Sequence, residues 1–371
     1  MIALSDQELE RYSRHLLLPE VAMDGQARLK NSAVLVCGAG GLGAPVLLYL
    51  AAAGVGTIGV VDFDVVERSN LQRQIIYADA DVGASKAECA ATRLQRLNPE
   101  ITVRQHELRL SQDNVANLVS QYDVIVDGTD NFATRYLVSD AAALAKKPYI
   151  YGSIYRFEGQ ASVFYPPHGP CYRCLFPSAP APGAVPGCAE GGVLGVLAGT
   201  IGSIQATECI KILLAAGQSL VGRLLLYDAL SMRFDVLKVN RNPACALCGD
   251  LPVITRALEE VMPCAPADKE LACAEFEQLR HNLNSAILVD VRSEAEFLLG
   301  HIGGALHIPL GELDAKIDQL SSDQTILVYC RSGQRSGSAV EMLRRKGFSS
   351  SFSLRGGLLA RQRETGEQFG L

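Results

Sequence analysis

The sequence predicts an α/β protein with two domains, a doubly wound parallel sheet followed by a smaller α/β domain. Three features predict this class. Short apolar runs alternate with longer amphipathic stretches, a Gly-rich turn separates one such run from the next stretch, and the alternation stops at a Pro-containing segment before it resumes. We therefore expect a first domain over residues 1–250, a linker over 251–270 and a second domain over 271–371.

The first domain is expected to alternate strands and helices in the manner of a Rossmann-like dinucleotide fold. In chain order the predicted elements are a helical stretch over 5–30, a strand over 33–37, a helix over 44–53, a strand over 56–62, a helix over 83–97, strands over 103–108 and 124–127, and a helix over 131–146. The Pro- and Gly-rich stretch 166–192 predicts a mobile loop. A mostly apolar helix over 192–216 and strands over 223–228 and 234–239 are expected after it.

The turn from Gly38 to Gly43 has the spacing of a nucleotide phosphate site. Gly38 permits the tight turn, Gly40 lets a phosphate approach the backbone, and Gly43 lets the helix pack closely against the strand. The helix that follows presents free N–H groups and partial positive charge to an anion. Asp62, at the end of the next strand, can accept hydrogen bonds from a ribose. A Gly-rich turn without a ligand is the plainer alternative, and Asp62 argues against it.

The charged residues of the same half favour an ATP site over a nicotinamide site. Arg14, Arg73 and Lys86 can neutralise phosphates, although any one of them alone is more often a solvated surface residue. Asp127 and Asp130, after the fourth strand, can hold Mg²⁺. Together these groups suit attack on an α-phosphate.

Four of the eleven cysteines form two C-x-x-C pairs, Cys171/Cys174 and Cys245/Cys248. Two thiolates three positions apart can share one ion, so two such pairs fit tetrahedral Zn²⁺. A site with four protein ligands is structural rather than catalytic; one or two redox disulfides are the alternative. Cys188, in the Pro- and Gly-rich loop, is either a nucleophile or an exposed cysteine without a task.

Composition limits the function classes. The formal net charge of -6 argues against a nucleic-acid surface, which needs clustered Lys and Arg. The N-terminal residues lack a cationic start followed by an apolar stretch, and the weakly polar stretch 191–204 is too short and too rich in Gly to span a bilayer. We therefore expect a cytoplasmic protein with neither nucleic-acid nor membrane partners, whose cysteines are ligands, thiols or core filler.

The second domain is expected to repeat the α/β pattern on a smaller scale. Strands are predicted over 286–290 and 325–329, with helices over 272–281, 294–299, 311–318 and 335–346. Cys330 follows the second strand and opens a loop of small and cationic residues, namely Arg331, Ser332, Gly333, Gln334, Arg335 and Ser336. Successive N–H groups in such a loop form an anion nest, and its two arginines add positive charge that stabilises a persulfide anion. A cysteine phosphatase needs Arg six positions after the cysteine, where this chain has Ser336.

Five ordered motifs carry a family resemblance over roughly the first 250 residues. They lie at 11–14 with 18–20, 38–43, 69–73, 81–86 and 127–131. This part of the chain resembles the ubiquitin-activating family of adenylating enzymes, and within it the molybdopterin-synthase and thiamine-biosynthesis adenylyltransferases. The resemblance implies that ATP and Mg²⁺ are used to adenylate the C-terminal glycine of a small ubiquitin-like protein, with release of pyrophosphate.

The resemblance also implies residue roles. Gly41 and Asp62 would contact the ribose region, Arg73 and Lys86 would hold the triphosphate, and Asp130 would position Mg²⁺. The full implied nucleotide set is Gly38, Gly40, Gly41, Gly43, Asp62, Ser69, Asn70, Leu71, Arg73, Lys86, Asp130, Asn131 and, reaching in from the neighbouring subunit of a homodimer, Arg14. The two C-x-x-C segments match those that hold zinc in members of the family. Cys188 falls in the family's cysteine-bearing crossover loop.

Motifs at 288–292, 296–297, 301–309 and 329–336 resemble a single rhodanese domain over roughly 270–371. That resemblance implies that Cys330 takes sulfur as a persulfide from a donor, either a cysteine desulfurase or thiosulfate. Together the two halves imply an enzyme that activates a Gly-Gly-ending sulfur carrier and converts it to a thiocarboxylate. Its pathway stays open among molybdopterin, thiamine, cysteine, thiolated tRNA and siderophore synthesis. The alternatives are a nicotinamide-dependent oxidoreductase with structural zinc and a non-catalytic docking scaffold for a ubiquitin-like partner.

Overall fold

The computed structural model describes residues 4–180, 192–257, 269–282, 286–367 and 369. The chain divides into two compact units. One comprises residues 1–179 and 187–260, and the other comprises residues 180–186 and 261–371. Each unit has its own sheet and its own apolar core.

The described part of the first unit consists of short helices around a central sheet. Its helices are α1 (Asp6–Arg11), α2 (Ser13–Leu16), α3 (Ala22–Asn31), α4 (Gly43–Ala53), α5 (Lys86–Leu97), α6 (Val115–Ser120), α7 (Phe132–Leu144), α8 (Tyr172–Leu175) and α9 (Gly195–Leu214). Its strands are β1 (Ala33–Cys37), β2 (Thr57–Val61), β3 (Thr102–His106), β4 (Val124–Asp127), β5 (Tyr149–Tyr155), β6 (Glu158–Phe164), β7 (Arg223–Asp228) and β8 (Arg233–Lys238).

The strands form an eight-stranded sheet in the order β3-β2-β1-β4-β5-β6-β7-β8. From β3 to β5 every pairing is parallel, which confirms the doubly wound, Rossmann-like class. From β5 to β8 every pairing is antiparallel, so the expected parallel pairing ends at β5. For β5 with β6, and for β7 with β8, the reason is a short connection. Only two residues separate Tyr155 from Glu158, which suffices for a hairpin, whereas a parallel crossover needs a dozen or more.

The carboxyl ends of β1, β2 and β4 gather the predicted nucleotide residues at one edge of this sheet. β1 ends immediately before Gly38, β2 ends immediately before Asp62, and β4 ends at Asp127. Because β1 pairs with both β2 and β4, the three following loops emerge side by side. The chain order reverses across β1 and β4, and such switch points are where open α/β sheets bind ligands.

The helix α9 lies in the core of the first unit. Among the described residues it is the one helix long and apolar enough, by length and composition, to cross a membrane. The sequence predicted that the apolar stretch, placed at 191–204, is too short to span a bilayer; the helix in fact extends to Leu214 and has 20 residues. Leu197, Ala198 and Ile201 are buried in the core cluster, and the fully buried Gln205 donates to backbone oxygens of β4 and β5. This packing is that of a core helix.

The second unit is a five-stranded sheet with helices. Its described elements are β9 (Glu270–Leu271), α10 (Cys273–Asn282), β10 (Ile287–Asp290), α11 (Glu294–Leu298), β11 (Leu306–His307), β12 (Ile326–Tyr329), α12 (Gln334–Arg345), β13 (Ser351–Leu354) and α13 (Gly357–Thr365). The strand order is β11-β10-β12-β13-β9, and all pairings are parallel. The central strand β12 is buried along its length and ends immediately before Cys330.

Two predicted helices take other forms. The stretch 5–30 is three helices rather than one, and Pro19 lies in the break between α2 and α3, where a proline ends a helix. The expected helix over 311–318 is wrong. It consists of two 3-10 turns, Leu310–Glu312 and Ile317–Gln319, and Gly311 lowers the helix propensity of this stretch.

Candidate functional site

The Gly-rich turn has no room for a side chain at either end. Gly38 has a φ of +92°, and a Cβ on it would lie 2.8 Å from the carbonyl oxygen of Gly128. A Cβ on Gly43 would overlap the carbonyl oxygen of Gly38. The turn after β1 therefore lies directly against the loop after β4, and α4 begins directly against the turn.

The middle of this turn presents backbone donors. The N–H groups of Gly40, Gly41 and Leu42 donate to no acceptor in the part of the chain that the structure describes. The carbonyl oxygen of Gly40 accepts from Ala44 at 2.9 Å, so the turn leads straight into the first turn of α4. Unpaired N–H groups at a helix N-terminus bind anions such as phosphate. We call residues 40–42 the anion cradle.

Asp62 and Tyr77 hold the turn in place. The Asp62 carboxylate accepts from the N–H of Ala39 at 2.8 Å and from that of Asp64 at 2.9 Å. The Tyr77 hydroxyl donates to the carbonyl oxygen of Ala39 at 2.8 Å. Burial raises the pKa of Asp62 above its ordinary value, although the charge of Lys86 and the two N–H donors act to lower it. Burial thus disfavours the ionised carboxylate, and further hydroxyl donors would stabilise it.

Lys86 lies at the start of α5 and pairs with Asp64. The Nζ–Oδ2 distance is 3.2 Å, with the Lys86 side chain 8% exposed and that of Asp64 55% exposed. The Lys86 ammonium group is therefore held near the carboxyl ends of the parallel strands by one well-solvated carboxylate. No sequence motif singled out Asp64; the available signal was a second acid two positions after Asp62.

The segment 69–73 lies beside the anion cradle. Asn70 is buried, and its amide oxygen accepts from the N–H of Glu67 at 3.3 Å, which shapes a 3-10 turn. Arg73 donates to the carbonyl oxygen of Ser69 at 3.1 Å, and its Cγ lies 3.5 Å from the position that a Cβ on Gly41 would take. Arg73 and the turn are therefore neighbours.

A buried network supports the loop after β4. The fully buried Asp127 accepts from Nε of Arg135 at 3.1 Å, from the hydroxyl of Tyr149 at 2.6 Å and from the N–H of Thr129 at 2.9 Å. Arg135 also donates to the carbonyl oxygens of Thr129 and Gly152. The sequence also offers Asp127 as a Mg²⁺ ligand, but its carboxylate is committed to partners in the interior. Arg135 and Tyr149 were missed, because nothing local to either residue marks it as part of this network.

The remaining predicted nucleotide residues lie on this edge or on the first helices. Asp130 is exposed on the loop after β4, and Asn131 caps α7 by accepting from the N–H of Thr134 at 2.9 Å. Leu71 packs against the core. Arg14 is exposed on α2. Their roles toward a nucleotide stay predictions.

The four paired cysteines converge in one cluster. Their sulfur atoms all lie within 4.8 Å of one another, with Sγ–Sγ distances of 3.8 Å for Cys171/Cys174, 3.5 Å for Cys171/Cys245 and 3.4 Å for Cys174/Cys248. Tetrahedral zinc with Zn–S bonds of about 2.3 Å places its sulfurs about 3.8 Å apart. The cluster also includes buried Leu247, which shields it from water. Four thiolate sulfurs, which are soft ligands, at nearly the spacing of a tetrahedral site fit a structural Zn²⁺.

Cys330 is fully buried, and its sulfur is held by two donors. Sγ accepts from the N–H of Gly333 at 3.1 Å and from the hydroxyl of Ser336 at 3.5 Å. Gly333 has a φ of +93° and caps α12, so the loop turns back over the sulfur. Arg331 is half-buried, while Ser332 and Gln334 are exposed. Donors arranged around a thiol in this way stabilise negative charge on its sulfur.

The charge of Arg335 is offset by a residue of α11. Its two terminal nitrogens each lie 2.7 Å from an oxygen of Glu296, and Glu296 also accepts from Ser293. Burial acts to raise the pKa of Glu296, but hydrogen bonds and charge from Arg335, with the Ser293 hydroxyl, outweigh it and lower that pKa to about 2. The expectation that Arg335 adds net positive charge to the Cys330 loop is therefore corrected. Cys188 lies outside the described residues.

Two family models match this chain. The ThiF family model matches residues 12–247, and the rhodanese-like domain model matches residues 273–364. The chain belongs to the ThiF family. Its C-terminal segment is a rhodanese-like domain, so both resemblances are confirmed.

Relatives extend over both parts of this ThiF-family chain. The probable adenylyltransferase/sulfurtransferase MoeZ of Mycobacterium tuberculosis is 49% identical over 96% of this chain and 94% of its own. The sulfur carrier protein adenylyltransferase of Thermus thermophilus is 55% identical over 66% of this chain and 93% of its own. The crystal structure of E. coli MccB superposes with a TM-score of 0.57 at 22% identity, over 67% of this chain and 74% of MccB. These matches confirm the predicted fold and the predicted class, an adenylyltransferase and sulfurtransferase.

We expect Gly43 and Gly40, two of the four glycines of the turn, to respond differently to alanine. Gly43→Ala should cost about 2–4 kcal/mol of unfolding free energy, because its Cβ would overlap the Gly38 backbone. Gly40→Ala should leave that free energy within about 1 kcal/mol, since the nearest atom is 3.6 Å away, yet weaken nucleotide binding. Denaturant unfolding and MgATP titration of both variants measure this. Equal stabilities would contradict the close approach.

Zinc content should follow the four-cysteine cluster. The purified chain should hold one zinc per chain by elemental analysis, and Cys174→Ser should lose it together with thermal stability. Cys89→Ser is the control, because Cys89 is a half-buried cysteine outside the cluster. Stoichiometric zinc retained by Cys174→Ser would count against the site.

The Glu296–Arg335 pair should stabilise the second unit in a pH-dependent manner. Because the folded state lowers the Glu296 pKa from 4.5 to about 2, its contribution is complete above pH 4.5 and is lost as the pH falls toward 2. At pH 7 Glu296→Gln should cost on the order of 2 kcal/mol by denaturant unfolding, and the difference from wild type should shrink in acid. Glu294→Gln, an exposed neighbour on α11, should cost much less. A difference independent of pH would exclude this origin.

Proposed function

We propose that this ThiF-family chain activates the C-terminal glycine of a small ubiquitin-like sulfur carrier with MgATP and then delivers sulfur to it from Cys330. The product is a carrier thiocarboxylate. The observation that carries the proposal is that one chain holds both an anion cradle beside Arg73 and a buried thiol held by backbone and hydroxyl donors. Lys86 begins the helix whose first carbonyl oxygen shares the Tyr77 hydroxyl with Ala39 of the same turn. The names of the chain's relatives, which join adenylyltransferase to sulfurtransferase and to sulfur carrier protein, support the proposal.

The nucleotide half of the proposal rests on the carboxyl edge of the first sheet. The phosphates would accept from the N–H groups of the anion cradle, with Arg73 alongside. The ribose hydroxyls would donate to Asp62, whose half-buried carboxylate already accepts from two backbone N–H groups of the turn and the following loop. Lys86 would turn from Asp64 to the phosphates, because a polyphosphate carries more charge than one half-exposed carboxylate.

Asp130 fits the role of Mg²⁺ ligand. Asp127 is turned inward to Arg135 and Tyr149, whereas Asp130 is exposed on the same loop and offers the carboxylate oxygens that Mg²⁺ prefers. When bound, Mg²⁺ would offset negative charge on the phosphates during adenylation.

Adenylation would proceed by direct displacement. A carboxylate oxygen of the carrier's terminal glycine attacks the α-phosphorus, and pyrophosphate leaves with the electrons of the broken P–O bond. Arg73 and Lys86 would stabilise the charge that shifts onto the leaving group. The resulting acyl-adenylate has a carbonyl carbon with a good leaving group, which the free carboxylate lacks.

Sulfur transfer would start from a persulfide on Cys330, charged by a cysteine desulfurase or by thiosulfate. The terminal sulfur attacks the carbonyl carbon, AMP leaves, and the carrier is joined to Cys330 through a disulfide bond. A Cys188 thiolate attacking the Cys330 sulfur would release the thiocarboxylate and leave a Cys188–Cys330 disulfide, which an external thiol reductant reopens. The covalent link between the two units keeps donor and acceptor at high effective concentration.

The same proposal covers the assembly. Residues 1–250 and 271–371 would act as two domains joined by a linker over 251–270, with structural Zn²⁺ in the first. A homodimer would let the exposed Arg14 of each subunit reach its neighbour's nucleotide site. The cytoplasm is the expected location.

Mass analysis of the carrier separates the two half-reactions. With MgATP and a sulfur donor, the wild-type chain should replace one oxygen of the carrier's C-terminal carboxylate by sulfur. Cys330→Ala should abolish the replacement of oxygen by sulfur. It should keep carrier-dependent ATP–pyrophosphate exchange, because adenylation does not use this thiol. Cys273→Ala, a buried cysteine of the same unit, serves as the control. Thiocarboxylate formed by Cys330→Ala would refute the assigned role of Cys330.

A further inference from the structure

Three buried side-chain atoms lack a hydrogen-bond partner among the described residues: Oε1 of Gln74, Oε1 of Gln205 and Nη1 of Arg292. Two of these side chains are held by their other polar atoms. Gln205 donates from Nε2 to the backbone of β4 and β5, and Arg292 pairs with Asp290 at 2.7 Å. Gln74 differs, because neither atom of its amide has a partner in the described part of the chain, although the residue is only 4% exposed.

Gln74 lies beside the anion cradle. Its Nε2 is 3.6 Å from the position that a Cβ on Gly40 would take. Its backbone is fixed on both sides, because its N–H donates to Asn70 at 3.0 Å and its carbonyl oxygen accepts from Tyr77 at 3.1 Å. The side chain thus starts from an ordered turn and ends at the place where a phosphate would approach the backbone.

A buried polar atom without a partner costs free energy, about 1–3 kcal/mol, and in Gln74 this atom is the amide oxygen Oε1. Folded proteins keep few such groups, and each of them calls for an explanation. An amide N–H₂ is a good donor to a phosphate oxygen, and at Gly40 it would add to the N–H groups of the cradle. A bound phosphate would therefore give Nε2 the acceptor that the described residues do not supply, whereas Oε1, itself an acceptor, would gain no partner from it.

We propose that Gln74 is a substrate contact whose amide donates a hydrogen bond to a phosphate oxygen of the nucleotide in the anion cradle. The inference rests on the proposed nucleotide site and adds to it a neutral donor next to Arg73. A neutral amide binds a phosphate oxygen only at hydrogen-bond distance and angle, whereas a cation attracts it over a wider range of positions. It would therefore favour one placement of the phosphate chain over others that the cations alone would accept.

The test compares three variants of the full-length chain in thermal unfolding and in calorimetric titration with MgATP. Gln74→Met keeps the length of the side chain and removes its polar atoms. It should hold or raise the unfolding temperature of the nucleotide-free protein, because no unsatisfied amide is then buried, yet weaken MgATP binding by about 10- to 100-fold. Gln74→Glu should weaken binding further, since a carboxylate repels phosphate. Gln72→Glu makes the same charge change at an exposed position of the same segment and should stay within about twofold of wild type.

Each outcome decides a different point. A Gln74→Met variant that binds MgATP as wild type does would overturn the inference, and so would one that only loses thermal stability, because both results describe a packing residue. Lys86→Ala is measured in parallel. If the wild-type chain fails to bind MgATP, the proposed function itself fails. If wild type binds, Lys86→Ala does not and Gln74→Met does, then the Gln74 inference alone is wrong.

Discussion

The buried carboxylate of Asp127 holds the functional edge of the first unit together. It accepts hydrogen bonds from its own loop, from Arg135 on α7 and from Tyr149 on β5, so three elements meet on one charge. A buried ion pair of this kind is tolerated only when its partners are in place, and removing one of them costs about 3–5 kcal/mol. The loop that carries Asp130, and the turn that it contacts at Gly38, depend on this pair for their position.

The two units use the same physical device for different chemistry. In each, a central, largely buried strand ends in a tight turn that contains glycine; in the first unit three N–H groups of this turn have no acceptor among the described residues, and in the second an N–H group donates to the Cys330 thiol. In each, a nearby cation is held by a carboxylate. Asp64 is 55% exposed beside Lys86, so that pair can open toward a ligand. The pair of Glu296 and Arg335 is mostly buried and is better suited to fixing the loop than to binding substrate.

Local sequence patterns predicted the strands and turns of the nucleotide half because each is an unbroken apolar run followed by a glycine or an acid. β1, β2 and β4 are of this kind and are buried on both faces. β5 and β6 were not predicted, since aromatic, glycine and serine residues alternate in them without a clear period. Their antiparallel pairing follows from a two-residue connection, which a pattern of alternating strands and helices does not reveal.

By itself the sequence determined which chemistry the chain carries, because the glycine turn, the paired cysteines and the Cys330 loop are each specified within a few consecutive residues. Only the tertiary structure decided which groups face one another. Cys171 meets Cys245 across 74 positions, Glu296 meets Arg335 across 39, and the amide of Gln74 lies buried at Gly40 without a partner among the described residues. The physical reason is that burial sets the cost of a charge or an unpaired amide, and burial depends on how distant segments pack.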